Sequence, residues 1–242
     1  MDKRLVGSLV AVVLLTVCGC AGLPIARSRP DVLPPTDDRE ALLDAVGLGE
    51  GSKVEKLLAA GGDANQRTPE GFSLLMIAAE DGRRPLVATL MAHGADVNAK
   101  TAEGVTALIL AAAKGNVDVN EELIAHGADP LVASTTNTTS LMTAAVGGHV
   151  EAVKVLLAHQ VPIDARDQGG QTALMFAAGT GREDVVRLLL ASGARADLRN
   201  GKGETAASIA KKNHQGDVEI LLRDGTTPAN GTLTAPAAGT RR

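Results

Sequence analysis

Apolar positions fall in short clusters along most of the chain, each cluster too brief for a strand sandwich and spaced for helices. The clearest pair lies in Gly170 to Gly193, which reads GQTALMFAAGTGREDVVRLLLASG. A turn ending at Gly170 leads into a helix carrying Leu174, Ala177 and Ala178, and Gly179 and Gly181 break it. A second helix carries Val185, Val186, Leu188, Leu189 and Leu190, and Gly193 ends it in the left-handed conformation that glycine allows at no steric cost. Neither helix can bury its apolar face alone, so the pattern predicts stacked copies.

The copies are present at a period of 33 residues. The turn recurs at Gly71, Gly104, Asn137, Gly170 and Gly203, and its hydroxyl residue at Ser73, Thr106, Thr139, Thr172 and Thr205. An Ala-Ala pair recurs from Ala78-Ala79 to Ala177-Ala178. The helix-ending glycine recurs as Gly61, Gly94, Gly127 and Gly193, with Gln160 the exception. Such self-similarity without insertions is the signature of a repeat architecture. The period, the G-x-T-x-L turn and the Gly94 to Asn98 ending, GADVN, resemble the ankyrin repeat over roughly Asp38 to Gly225. The resemblance implies an all-α solenoid of about six helix-turn-helix repeats joined by hairpin loops. They start near residues 38, 71, 104, 137, 170 and 203.

The terminal repeats depart as end caps should. Repeat one lacks the Thr-containing turn, and Asp37 and Asp38 are expected to cap its first helix. In repeat six, Lys211, Glu219 and Arg223 replace alanine, valine and leucine. Inside the array, Pro85 falls in the first turn of a helix, where proline is tolerated. Asn120 and Glu122 fall at apolar positions, which predicts that the second helix of repeat three is the least stable.

Outside the repeats the chain changes character. Lys3 and Arg4 precede an apolar stretch, Leu5 to Val17, too short to span a bilayer comfortably. This reads as a signal peptide over 1–20 rather than a buried helix, because Pro24, Pro30, Pro34 and Pro35 follow at once. Val17-Cys18-Gly19-Cys20 resembles a bacterial lipobox, which would make Cys20 the lipidated residue; Cys18 departs from that pattern, and cleavage after Ala21 is the alternative. Residues 21–37 form a Pro-rich tether. Residues 226–242, rich in Thr, Ala, Pro and Gly, are expected to be disordered.

Composition narrows the chemistry. Aromatics make up 1% of the chain and Trp and Tyr are absent, which suits thin helix pairs packed on Ala and Leu. A net charge of −4 gives no basic footprint for nucleic acid. Both cysteines, Cys18 and Cys20, precede the repeats, so the repeat domain has neither a disulfide nor a thiolate site. No nucleophile elbow or phosphate-binding loop is visible. His93, His126 and His159 form a column at the repeat spacing. Neighbouring helices lie about 8–10 Å apart, whereas ligands of one metal must each lie about 2 Å from it. The column is therefore better explained as imidazoles complementing helix C-termini. No cofactor, metal or small-molecule substrate is expected.

The resemblance implies protein binding through turn tips and the exposed ends of the first helices. Those positions include Glu70, Phe72, Glu80, Asp81, Ala102, Glu103, Val105, Lys114, Thr138, Gln168, Gln171 and Lys202. Phe72 is the aromatic candidate for an anchor. The expectation is a non-catalytic, monomeric binding module at the bacterial cell envelope, on the periplasmic side and held by a lipid anchor. Two alternatives remain open: a metal-binding or enzymatic protein using the histidine column, and a cytosolic ankyrin effector whose apolar N-terminus is fortuitous.

Overall fold

The computed structural model describes residues 38–224. The lipobox with Cys20, the tether, the capping Asp37 and the C-terminal tail lie outside the described residues. Among the described residues twelve helices follow one another in pairs: α1 (Asp38–Leu48) and α2 (Gly51–Ala59), α3 (Leu74–Glu80) and α4 (Arg84–Ala92), α5 (Ala107–Lys114) and α6 (Val117–Ala125). The remaining pairs are α7 (Ser140–Gly147) and α8 (Val150–Ala158), α9 (Ala173–Gly179) and α10 (Glu183–Ala191), α11 (Ala206–Lys212) and α12 (Gly216–Asp224). No strand is present among the described residues; two isolated antiparallel bridges, Arg67 to Ser73 and Ala133 to Thr139, mark the hairpins. The fold is an all-α repeat stack.

The first helix of each pair starts on a hydroxyl. Ser73, Thr106, Thr139, Thr172 and Thr205 each accept the backbone N–H three residues on, from Met76, Ile109, Met142, Met175 and Ser208. Each such cap is worth about 1 kcal/mol. These helices are only seven or eight residues long, and α5, α7 and α9 are buried over six positions each. They persist because a neighbour covers each side, and the Ala pairs, all fully buried, let the backbones approach.

The second helices bury a single stripe, such as Leu86, Val87 and Leu90 in α4 or Val185, Val186 and Leu189 in α10. Pro85 stands in the first turn of α4, where its missing N–H costs nothing. At the far end, Gly94, Gly127 and Gly193 have φ of 84°, 90° and 93°; Gln160 holds the same place at φ 57°. That conformation costs a side chain about 1–2 kcal/mol. Lys211 and Arg223 of the last repeat are exposed, as a polar end cap requires.

Neighbouring repeats are stitched by one polar register that sequence similarity hides. Arg83, Asn116, His149 and Arg182 precede or begin the second helices, and each donates to carbonyls ending the first helix of the repeat before. Arg83 reaches Val46 and Gly47, and Asn116 Nδ2 reaches Ala79 and Glu80 at 2.9 and 2.8 Å. His149 Nε2 lies 3.1 Å from the Ala113 carbonyl, and Arg182 Nε lies 3.1 Å from that of Val146. These bonds satisfy carbonyls that a helix end would otherwise leave open. A Cβ at Gly115 would lie 2.5 Å from His149 Nδ1, so glycine is needed there for closeness as well as for its φ of 71°.

Candidate functional site

Each hairpin closes on itself through a backbone bond: Thr68 N to Phe72 O, Thr101 N to Val105 O, Ser134 N to Thr138 O, Asp167 N to Gln171 O and Asn200 N to Glu204 O, all 2.8–3.0 Å. Successive hairpins then bond to one another, Thr135 N to Glu103 O, Gln168 N to Thr136 O and Gly201 N to Gly169 O, at 2.8, 3.0 and 2.7 Å. The side chain of Gln168 adds a bond to Thr135 O at 2.7 Å. The result is a rigid row of tips that fixes the spacing of whatever they present.

Glu70, Ala102, Glu103, Gln168 and Lys202 are exposed on these tips. At the ends of the first helices, Asp81 and Lys114 are exposed and Glu80 is half-buried. These three are already engaged: Lys114 Nζ lies 3.3 Å from Glu80, across one repeat boundary, and Asp81 lies 2.9 Å from Arg83. Burial pushes the Glu80 carboxyl above the usual range, and the Lys114 ammonium partly offsets it.

The residue after each turn behaves differently from expectation. Val105 was expected to face a partner, but it is 9% exposed and belongs to the core, and Thr138 in the same register is 4% exposed. The cause is the hairpin's second arm, which turns its side chains toward the helices and the adjacent hairpin rather than outward. Thr138 is held there by a hydroxyl chain, Ser134 Oγ to Thr136 Oγ1 at 2.8 Å and Thr136 Oγ1 to Thr138 Oγ1 at 3.0 Å. Phe72 and Gln171, also in this register, are half-buried, and Phe72 packs against the core. Phe72 is therefore not a free aromatic anchor.

The histidines of the column occupy the C-cap positions of α4, α6 and α8. His93 Nε2 lies 3.3 Å from Glu55, while His126 Nδ1 lies 2.9 Å from the Glu122 carbonyl. His126 thus works within its own helix end, whereas His93 reaches across the repeat boundary to a side chain of α2. Among the described residues no three potential metal ligands lie close enough to share an ion.

Three buried residues inside the stack, Asn120, Ser140 and Asp167, carry a side-chain polar atom without a partner, and none was foreseen as unpaired. Asn120 is fully buried in α6, and neither its amide oxygen nor its nitrogen has a partner. Asp167, 5% exposed, accepts the Gln171 N–H at 2.7 Å through Oδ1 but leaves Oδ2 without a partner. Burial pushes the Asp167 carboxyl above the usual carboxylate range, and the hairpin N–H groups lower it less.

A family profile described as "Ankyrin repeats (3 copies)" matches residues 42–134 and 131–200, well over half of the chain. The chain belongs to the ankyrin-repeat family. No curated protein matches it. Ankyrin repeats are protein-interaction modules as a class, so the exposed tips and first-helix ends of this ankyrin stack are its candidate interface. No helix among the described residues is long and apolar enough to cross a membrane.

Proposed function

We propose that this ankyrin protein is exported to the bacterial cell envelope, held there by a lipid on Cys20, and acts by binding another protein on its concave surface without catalysis. The observation that carries the binding reading is the tip row. Glu70, Glu103 and Lys202 are exposed, recur at the repeat spacing, and make no side-chain bond to the rest of the stack. Residues that hold the fold together are bonded; these project from a backbone scaffold that is already ordered. A partner therefore meets them with little further entropic cost. Their charges run from acidic at Glu70 and Glu103, through neutral Gln168, to basic Lys202, which favours a partner with the opposite polarity along its length. Export and lipidation rest on the N-terminal sequence, Lys3 and Arg4 before the apolar stretch and Val17-Cys18-Gly19-Cys20 at its end.

The test is cross-linked affinity purification of the full chain from bacterial envelopes beside a Glu70→Ala, Glu103→Ala, Lys202→Ala variant. A single protein recovered with the wild type and lost with the variant supports the reading. Equal recovery by both moves the interface off the tips. Mass spectrometry of the mature N-terminus decides the anchor: a diacylated or triacylated Cys20 supports it, and a free N-terminus beyond Ala21 refutes it.

A further inference from the structure

The backbone rungs that join successive hairpins keep one register. The second residue of a hairpin donates to the third residue of the hairpin before it: Thr135 N to Glu103 O, Gln168 N to Thr136 O and Gly201 N to Gly169 O. One period earlier the same register calls for Ala102 N to Glu70 O, and that bond is not made. The turn glycines report the same difference. A Cβ at Gly104 would lie 3.1 Å from Thr135 N, and one at Gly170 would lie 3.0 Å from Gly201 N, so those turns press against the next hairpin. A Cβ at Gly71 would meet nothing within 4 Å. The first hairpin (68–72) is therefore parted from the second (101–105) at its tip.

Arg67 spans that gap. Its Nη1, which carries two hydrogens, donates to the Gly71 carbonyl of its own turn at 3.0 Å and to the Lys100 carbonyl of the next repeat at 2.8 Å. One nitrogen thus ties the turn beside Glu70 to the neighbouring hairpin. The same register is filled by Lys100, Ala133, Arg166 and Arg199 further along. The Lys100 ammonium makes no bond among the described residues and Ala133 has none to make, and at their boundaries the rungs from Thr135 and Gln168 do the joining. Arg166 donates to the Arg199 carbonyl at 2.9 Å, but across a boundary that the Gly201 rung already closes. Only at the first hairpin does the guanidinium stand in for the backbone.

We infer that Arg67 is a positioning residue of the binding surface, a fork that holds Glu70 in place beside Glu103 where no backbone rung does so. The inference rests on the tip-row reading and names what its acidic end requires. Bonds from a guanidinium to carbonyls are charge-assisted, and the planar group meets both acceptors with little loss of freedom per bond. A lysine ammonium on its flexible stem is less well suited to that task. Arg67 forms no ion pair among the described residues, and the Glu70 carboxylate stays unbonded. Arg67 therefore sets where that carboxylate is presented, through the Gly71 carbonyl, without neutralising it by contact.

Residue-resolved amide hydrogen exchange on the free full chain tests it. In Arg67→Ala the amides of Thr68 and Gly71, which donate to the Phe72 and Thr68 carbonyls, should exchange about tenfold faster while circular dichroism stays that of the wild type. Arg67→Lys, which keeps the charge but not the fork, should remain severalfold faster than the wild type. Arg166→Ala should leave the amides of Asp167 and Gly170 at their wild-type rates. Unchanged exchange at Thr68 and Gly71 in Arg67→Ala, full recovery in Arg67→Lys, or equal loosening of 167–171 by Arg166→Ala overturns the inference. Against the protein recovered from the envelope, Arg67→Ala should weaken binding severalfold and add nothing in a Glu70→Ala chain. An equal loss in both chains means that Arg67 touches the partner itself, and it overturns the positioning role. The exchange arm needs no partner, so the inference can fail while the tip-row reading stands, and the reverse.

Discussion

Replacing Asn120 by valine should stabilise the protein, which few single changes in a buried site do. Val87, Val153 and Val186 occupy the same register in the neighbouring repeats and are fully buried, so the surroundings already fit a valine. Asn and Val are close in volume, and little repacking is needed. Burying an amide with no hydrogen bond costs about 1–3 kcal/mol, and a buried valine side chain contributes about 1.5–3 kcal/mol. Since part of the second figure restates the first, the net gain is about 2–4 kcal/mol. At about 2–4 °C per kcal/mol for a domain of this size, Tm should rise by about 4–16 °C. Thermal unfolding of the full chain measures it, and native-state hydrogen exchange at Val119 and Leu123 shows whether the gain resides in α6. An unchanged or lowered Tm would mean that Asn120 has a partner in solution, and that α6 is not the weak helix of the array.

Three further changes test other parts of the account. Gln160→Gly removes a side chain from a left-handed position and should stabilise by about 0.5–1 kcal/mol, read as a small rise in Tm, once the freer unfolded glycine is counted. His149→Ala deletes the bond to the Ala113 carbonyl and should cost about 1 kcal/mol in chemical denaturation, whereas His149→Asn, which imitates Asn116, should recover much of it. The third concerns pH. Because the Asp167 carboxyl is raised in the folded state, folding favours its protonated form; that stability is complete below the unfolded value of 3.8 and is lost as pH rises through the folded value. Asp167→Asn, the type of Asn200 in the next repeat, should therefore raise Tm at pH 7 and make no comparable difference near pH 3.

The repeats were legible because their signals are chemical identities fixed by backbone geometry. A hydroxyl caps each first helix, alanine sits where helices approach, and glycine sits where φ is positive. Where Gln160, Asn137 and His214 interrupt the glycines, the backbone holds its shape, with φ of 57°, 58° and 60°. The stitching register was not legible, because arginine, asparagine and histidine perform the same carbonyl bond with different chemistry. Only a long polar donor is required there. Val105 and Thr138 were placed on the surface because the family resemblance puts the turn tips there, yet the hairpin's second arm has an inward side. Asn120 was visible as a polar residue in an apolar register, but its lack of a partner is a property of the packed neighbours. The fork of Arg67 becomes meaningful only once the backbone rungs of the other hairpins are known.

The tip row is the centre of the functional account, and amide hydrogen exchange on the full chain, alone and bound to the protein recovered from the envelope, tests it most directly. The account predicts slowed exchange at 69–71, 102–104, 168–170 and 201–203, with the exposed faces of α4, α6, α8 and α10 unchanged. Protection confined to those second helices, with the tips exchanging as in the free chain, would contradict it.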